Sequence, residues 1–155
     1  MLRLIYRLYQ IYLFIIRPLT FGVRTLLLRD GKVLLVRQTY MDGWFIPGGR
    51  IEKGETLEQA ARREAREEVQ AEIKSLSLLG VYSNFKEWKS DHNILFLSED
   101  FTLGGGHDNE IAEARFFRLD ALPPGLWPGH RQRIQEFRRD RQHGRDPSMP
   151  RFGEW

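Results

Sequence analysis

A run of carboxylates on one predicted helix is the part of the sequence best suited to chemistry. Glu64, Glu67 and Glu68 are spaced i, i+3 and i+4, so their side chains share one narrow stripe of an α-helix. Like charges at this spacing repel by roughly 0.2–0.5 kcal/mol per pair. The stripe therefore indicates either a solvated helix neutralised by salt bridges or a site that holds a positive ion.

The residues before the helix favour the second interpretation. Salt bridges alone are an alternative, since Arg63 and Glu67 form a favourable i, i+4 pair. However, Gly48 and Gly49 let the backbone approach a ligand closely, and Glu55 adds a carboxylate. Oxygen ligands of this kind suit Mg²⁺ or Mn²⁺ better than zinc, and bound Mg²⁺ commonly shares its coordination with substrate phosphates. The residues thus indicate metal-assisted phosphate chemistry.

Composition limits the classes of protein to which the chain can belong. A length of 155 residues, 41% hydrophobic and 29% charged, predicts one globular domain with its own core. The absence of cysteine excludes disulfides, cysteine nucleophiles and thiolate metal sites, and it leads us to expect a cytoplasmic protein. The net charge of +3 and the isoelectric point near 9.4 reflect many arginines, whose planar head groups suit phosphate.

Residues 1–17 form a predicted amphipathic helix that ends before Pro18. Arg3, Arg7 and Arg17 interrupt its apolar sequence, so it does not fit a membrane-spanning helix. We expect this helix to cover the domain or a second subunit, which would give a homodimer. The alternative is a helix that lies on a membrane surface.

The elements that must position the carboxylates are predicted from periodicity and turn residues. Asp30-Gly31 predicts a hairpin, and Thr56 with Gln59 predicts a capping box at the start of the carboxylate helix. The predicted strands cover 20–30, 32–39, 73–85 with a bulge at Gly80, 92–101 and 112–122; a second helix covers 130–142. This order predicts an α+β fold, an α/β/α sandwich with a mixed β-sheet flanked by helices. We assign 18–142 to the domain and 143–155 to a C-terminal tail that is loose or used in contacts.

Residues 49–71 resemble the signature of the Nudix hydrolases, G-x5-E-x7-R-E-U-x-E-E-x-G-U, where U is a bulky aliphatic residue. The first glycine and all the charged positions are matched, by Gly49, Glu55, Arg63, Glu64, Glu67 and Glu68. Ala65 and Ala71 are smaller than the usual aliphatic residues. Gln70 replaces the final glycine, which would end the helix in a left-handed conformation; another residue there costs about 1 kcal/mol unless the turn is built differently.

The resemblance implies that water attacks a pyrophosphate in a nucleoside diphosphate linked to another group, with Mg²⁺ or Mn²⁺ as cofactor. Glu67 and Glu68 would be the main metal ligands, assisted by Glu64 and by Gly49. Arg63 would be held against Glu55 and brace the loop against the helix. The loop 104–113 offers candidates for the general base, with Glu110 first, then Asp108 and Glu113. A polar hairpin tip explains this loop equally well, and Glu55 or Glu67 are alternative bases.

Substrate-binding residues are less strongly indicated. Trp44 and Trp88 are candidates for stacking on a nucleobase, although aromatic residues in a sheet domain more often belong to the core. Arg24 is a candidate for contacting phosphate, and Gly48 with Gly49 for contacting the nucleotide. Relatives that act on ADP-ribose tend to carry a proline about fifteen residues after the signature, which this chain lacks. An oxidised nucleoside triphosphate, a dinucleoside polyphosphate and a nucleotide sugar all stay open.

Two other functions compete with hydrolysis. A Nudix-like nucleotide sensor without turnover is one, but such proteins usually lose carboxylates of the signature, and this chain keeps them all. The other is a nucleic-acid or membrane-surface protein that uses the arginine-rich second helix. That helix is as well explained by solvation or a dimer contact, so we expect no stable nucleic-acid partner.

Overall fold

The computed structural model describes residues 19–85, 90–146 and 149–155. The predicted N-terminal helix (1–17) and Trp88 lie outside the described residues. The strands are β1 (Leu19–Arg29), β2 (Lys32–Gln38), β3 (Ala71–Ile73), β4 (Ser77–Asn84), β5 (Ser90–Ser98), β6 (Phe101–Leu103), β7 (Ile111–Arg118) and β8 (Arg151–Glu154); the helices are α1 (Leu57–Val69) and α2 (Pro128–Gln142).

Six of the strands form one mixed sheet in the order β7-β2-β1-β5-β4-β8. The pairs β1–β5 and β4–β8 are parallel, and the other pairs are antiparallel. Strands β3 and β6 form a small separate antiparallel sheet. The tight β1–β2 turn has φ of 51° at Asp30 and 70° at Gly31, the left-handed pair that the sequence predicted for this hairpin.

The core divides between the two faces of the large sheet. On one face, buried residues of β1 and β2 pack with Ile134 and Phe137 of α2. On the other face, Leu27 of β1 packs with Ala65 and Val69 of α1. Because successive side chains of a strand point to opposite faces, β1 serves both layers. This arrangement confirms the predicted α/β/α sandwich.

Helix α1 begins and ends as its terminal residues dictate. The predicted capping box is present, with the Gln59 N–H donating to Thr56 Oγ1 (3.2 Å) and the Thr56 N–H donating to Gln59 Oε1 (2.8 Å). At the other end Gln70 adopts the left-handed conformation, with φ 51° and ψ 37°. Gln70 therefore ends the helix with the backbone that glycine would use, and its carbonyl accepts a hydrogen bond from the Gly104 N–H (2.9 Å).

Three predicted strands were wrong in extent. The strand predicted over 112–122 ends at Arg118, because the Ala121 N–H turns back to the Arg118 carbonyl. Residues 73–85 divide into β3 and β4, because the N–H groups of Lys74 and Ser75 turn to the Asp100 carbonyl. Residues 92–101 likewise divide between β5 and β6. The predicted bulge is confirmed by a register shift between Leu78 and Gly80.

The end of the chain belongs to the sheet. Strand β8 pairs with β4 at the sheet edge, and the Trp155 N–H donates to the Ser83 carbonyl (2.8 Å). The sequence analysis predicted no strand there, since a four-residue edge strand carries little local signal. In the described part of the chain, no helix has the length and apolar character needed to cross a bilayer.

Candidate active site

The loop that precedes α1 is fixed to β1 through its backbone. The Val23 N–H donates to the Gly49 carbonyl and the Thr25 N–H to the Pro47 carbonyl, both at 2.9 Å. Gly48 has φ +139°, and a Cβ atom there would lie 2.1 Å from the Val23 carbonyl oxygen. Only glycine fits this contact, so the residue type at position 48 is set by how closely the loop approaches the strand.

The same loop touches the carboxylates of α1. The Gly48 N–H donates to Glu68 Oε2 at 2.7 Å. A Cβ atom on Gly49 would lie 2.5 Å from Glu64 Oε1, so the Glu64 carboxylate rests directly against the loop backbone. Glu67 lies farther out: its side chain is 54% exposed, against 15% for Glu64. The predicted stripe thus contains two partly buried acids and one exposed acid.

Arg63 joins the loop to the helix. Its guanidinium forms two hydrogen bonds with Glu55, Nε to Oε1 at 2.7 Å and Nη2 to Oε2 at 3.0 Å. It also donates to Glu64 (2.8 Å), Glu67 (3.0 Å) and the Arg50 carbonyl (2.9 Å). These bonds raise the pKa of Arg63 above its ordinary value, and the bond from Arg63 lowers the pKa of Glu55. The contacts are those expected of the brace that the sequence analysis assigned to this pair.

The charge on the inner carboxylates is only partly compensated. Burial raises the pKa of Glu68 to about 7, although the charge of Arg24 and the Gly48 N–H oppose that rise. Burial also raises the pKa of Glu64, with the hydrogen bond from Arg63 opposing it. Two neighbouring acids in this state gain from a bound proton or cation.

Carboxylate oxygens are the kind of ligand that Mg²⁺ and Mn²⁺ prefer, so the residue types present fit such an ion. Among residues 19–85, 90–146 and 149–155, no three or more His, Asp or Glu side chains are placed together so that they could hold a metal ion as they stand. One reason is that Glu67 Oε2 is engaged with Arg63. Glu64 and Glu68, which lie against the Gly48-Gly49 backbone, would form the inner side of such a site.

Glu110 lies near this site, as the sequence analysis expected of a general base. The Thr39 N–H donates to the Glu110 carbonyl at 2.9 Å, which holds the loop end beside β2. The charge of Glu110 contributes to the raised pKa values of Glu68 and Tyr40, after burial. Glu113, a lower-ranked candidate, instead pairs with Arg37 at 2.9 Å.

Arg24 and Trp44 have structural partners. Arg24 Nη1 donates to the carbonyls of Ile46 (3.1 Å) and Gly48, so it supports the loop beside Glu68. The half-buried Trp44 ring packs edge-on against Phe117, with ring centroids 4.8 Å apart.

The sequence analysis missed Trp127, which is 49% exposed and stacks on Phe45 with centroids 5.9 Å apart and planes inclined by 30°. The available signal was its position just before Pro128, which marks a helix start.

Comparisons with known proteins agree with this geometry. The NUDIX domain profile matches residues 17–137. An ADP-ribose pyrophosphatase from Methanocaldococcus jannaschii is 35% identical over 118 residues, which cover 72% of this chain and 68% of that protein. An NAD-capped RNA hydrolase, NudC, from Pseudomonas aeruginosa is 34% identical over 108 residues, or 64% of this chain; the match spans only 36% of that longer relative.

Solved structures show the same fold at lower identity. A NUDIX hydrolase from Nitrosomonas europaea superposes with a TM-score of 0.70 at 24% identity, covering 88% of this chain and 78% of that chain. A MutT NUDIX hydrolase from Burkholderia pseudomallei gives a TM-score of 0.68 at 23% identity, covering 76% and 97%. The profile match, the shared fold and the intact set of signature carboxylates together show that this chain belongs to the Nudix family and is a pyrophosphate-hydrolysing enzyme.

Proposed function

We propose that the protein is a Mg²⁺- or Mn²⁺-dependent hydrolase that cleaves the pyrophosphate bond of a nucleoside diphosphate linked to another group. The observation that carries this proposal is the pair of partly buried carboxylates, Glu64 and Glu68, against the Gly48-Gly49 backbone. Their raised pKa values mark a site with surplus negative charge, which a divalent cation relieves.

Each part of the site has a proposed task. Glu64, Glu67 and Glu68 hold the ion, which when bound neutralises charge on the substrate phosphates. Arg63 keeps the loop and helix at a constant separation. Glu110 accepts a proton from the attacking water; the water oxygen bonds to phosphorus, and the bond from phosphorus to the bridging oxygen breaks.

Trp127 is the better-placed surface for a nucleobase. Its ring is exposed on one side and supported by Phe45 on the other, whereas Trp44 is half-buried against Phe117. Trp88 keeps its proposed role from the sequence. The named relatives act on ADP-ribose and on NAD-capped RNA, so we propose a substrate whose pyrophosphate lies between a nucleoside and a second organic group.

The experiment is a coupled screen of the purified full-length chain with Mg²⁺ or Mn²⁺. ADP-ribose, NAD, nucleotide sugars and dinucleoside polyphosphates are incubated with it, and phosphatase then releases phosphate from the newly exposed phosphate groups. Because 8-oxo-dGTP has terminal phosphates of its own, its cleavage is followed without phosphatase, by the release of pyrophosphate. We expect turnover by the wild type and by Glu58→Gln, an exposed control on α1, but not by Glu67→Gln or Glu68→Gln. Metal-dependent nucleotide binding without turnover would favour the sensor alternative.

We also propose a cytoplasmic homodimer in which residues 1–17 cover exposed apolar surface. Leu19, Phe21 and Leu57 are between 42% and 60% exposed and line a cleft of about 480 Å³ where the described chain begins. The segment could instead cover its own domain or lie on a membrane surface. Light scattering detects a dimer, and sedimentation with anionic vesicles detects membrane binding. A monomer that does not bind vesicles would mean that residues 1–17 cover their own domain.

A further inference from the structure

His130 is a buried histidine in contact with the loop that precedes α1, the loop that contains Ile46 and Gly48. It lies in the first turn of α2, is 4% exposed, and its Nδ1 accepts a hydrogen bond from the Ile46 N–H at 2.7 Å. A nitrogen that accepts this bond carries no proton, so the ring is the neutral tautomer with its proton on Nε2. The bond joins residues 84 positions apart in the sequence.

The backbone of Ile46 links His130 to the carboxylates. Its N–H is held by His130, and its carbonyl accepts a bond from Arg24 Nη1 at 3.1 Å. The same Arg24 nitrogen donates to the Gly48 carbonyl, and the Gly48 N–H donates to Glu68. Only Pro47, whose φ is restricted, separates Ile46 from Gly48. A shift of the Ile46 peptide is therefore transmitted to the group that holds Glu68.

The last residue of the chain fixes the histidine ring. Trp155 packs edge-on against His130, with centroids 5.2 Å apart and planes at 87°. Phe45 contacts the imidazole in a second edge-on arrangement at 5.6 Å. The fit leaves no spare room, because a Cβ atom on Gly129 would lie 2.6 Å from Trp155 Nε1.

We propose that His130 is a positioning residue for the loop that holds Glu68, and that Trp155 fixes its ring. The final residues of the chain thus contribute to metal binding although they touch no metal ligand. The effect of His130 on metal binding depends on the proposed function, whereas its role in positioning the loop does not. The competing explanation is that His130 only fills the core, in which case its volume matters and its hydrogen-bond acceptor does not.

The test compares His130→Asn, which keeps an acceptor near the position of Nδ1, with His130→Leu, which keeps apolar volume without one. Amide hydrogen exchange at Gly48 is read in the metal-free full-length chain. We expect exchange about tenfold faster or more in His130→Leu and close to the wild type in His130→Asn. Mg²⁺ affinity, measured by calorimetry, should fall in His130→Leu and stay close to the wild-type value in His130→Asn. Equal exchange rates in the two variants would overturn the proposal.

Two further measurements keep the test decisive if His130→Leu does not fold. Long-range ¹H–¹⁵N spectra of the wild type at neutral pH should show the proton of His130 on Nε2; a proton on Nδ1 refutes the inference. Trp155→Ala should speed exchange at Gly48, whereas Trp155→Phe should restore it, and equal behaviour of these two also refutes it. None of these readouts requires turnover, so a failure here is distinct from a failure of the proposed function.

Discussion

Glu68 should make the stability of the metal-free protein fall as pH rises. Its pKa is raised from 4.5 to about 7 by burial, and each tenfold change in proton affinity corresponds to about 1.4 kcal/mol. The folded protein therefore gains up to about 3 kcal/mol from a protonated Glu68. Because the folded pKa is the raised one, this gain is fully present below pH 4.5 and is lost as pH rises through about 7. The value is an upper limit, since Glu68 retains some contact with solvent.

The substitution that tests this is Glu68→Gln, which keeps the shape of the side chain and removes the charge. In urea unfolding with a chelator, the free energy of unfolding of the variant should rise relative to that of the wild type between pH 5 and 8. The expected change is up to about 3 kcal/mol, or roughly 6–12 °C in melting temperature. Glu58→Gln, an exposed substitution on the same helix, should follow the pH course of the wild type. Added Mg²⁺ should stabilise the wild type above pH 7 and have little effect on Glu68→Gln.

Two results would refute this reasoning. If the wild type and Glu68→Gln show the same pH dependence with a chelator, Glu68 is not destabilised as an anion. If Mg²⁺ stabilises both proteins equally, the ion binds elsewhere. Either result would count against a metal ion bound at Glu68.

Substitutions at four further positions test the brace, the aromatic surface and the loop. Arg63→Lys loses the paired bonds to Glu55, so kcat should fall about tenfold or more; near-normal turnover contradicts the brace. Trp127→Ala should raise KM about tenfold with little change in kcat, whereas Trp127→Phe restores stacking; an unchanged KM in the alanine variant argues against a base surface there. Gly31→Ala should lower the free energy of unfolding in urea by about 1 kcal/mol, because φ at Gly31 is positive but the space around it is open. Gly48→Ala should lower it by at least about 2 kcal/mol more, because the added Cβ atom meets the backbone of β1. Equal losses would show that the loop can move away from β1.

Much of the architecture was readable from neighbouring residues. The Asp30-Gly31 turn and the Thr56 and Gln59 capping box depend on contacts within four positions, so their residue types predict them directly. The stripe of carboxylates depends only on the helical repeat. Glu110 was only one of several candidate bases in a glycine-rich loop, and its role stays a prediction.

Other features depend on pairings that local sequence does not encode. The division of residues 73–85 follows from the Asp100 carbonyl, and β8 forms because β4 offers an unpaired edge. The bond from the Ile46 N–H to His130 spans 84 positions, and Trp127 acquires its support from Phe45 through tertiary packing. None of these partners can be chosen from periodicity, since each requires the sheet and α2 to be in place.

The carboxylates show the division most clearly. Glu67 and Glu68 are adjacent residues of one type in one motif, and the sequence by itself determined their place in that motif and predicted a shared role in phosphate chemistry. Only the tertiary structure made them different. Burial of Glu68 beneath the loop at Gly48 raises its pKa to about 7, although the Gly48 N–H and the charge of Arg24 oppose the rise, whereas Glu67 stays exposed beside Arg63. Burial depends on what packs over a residue, and for Glu68 that is a loop twenty positions away.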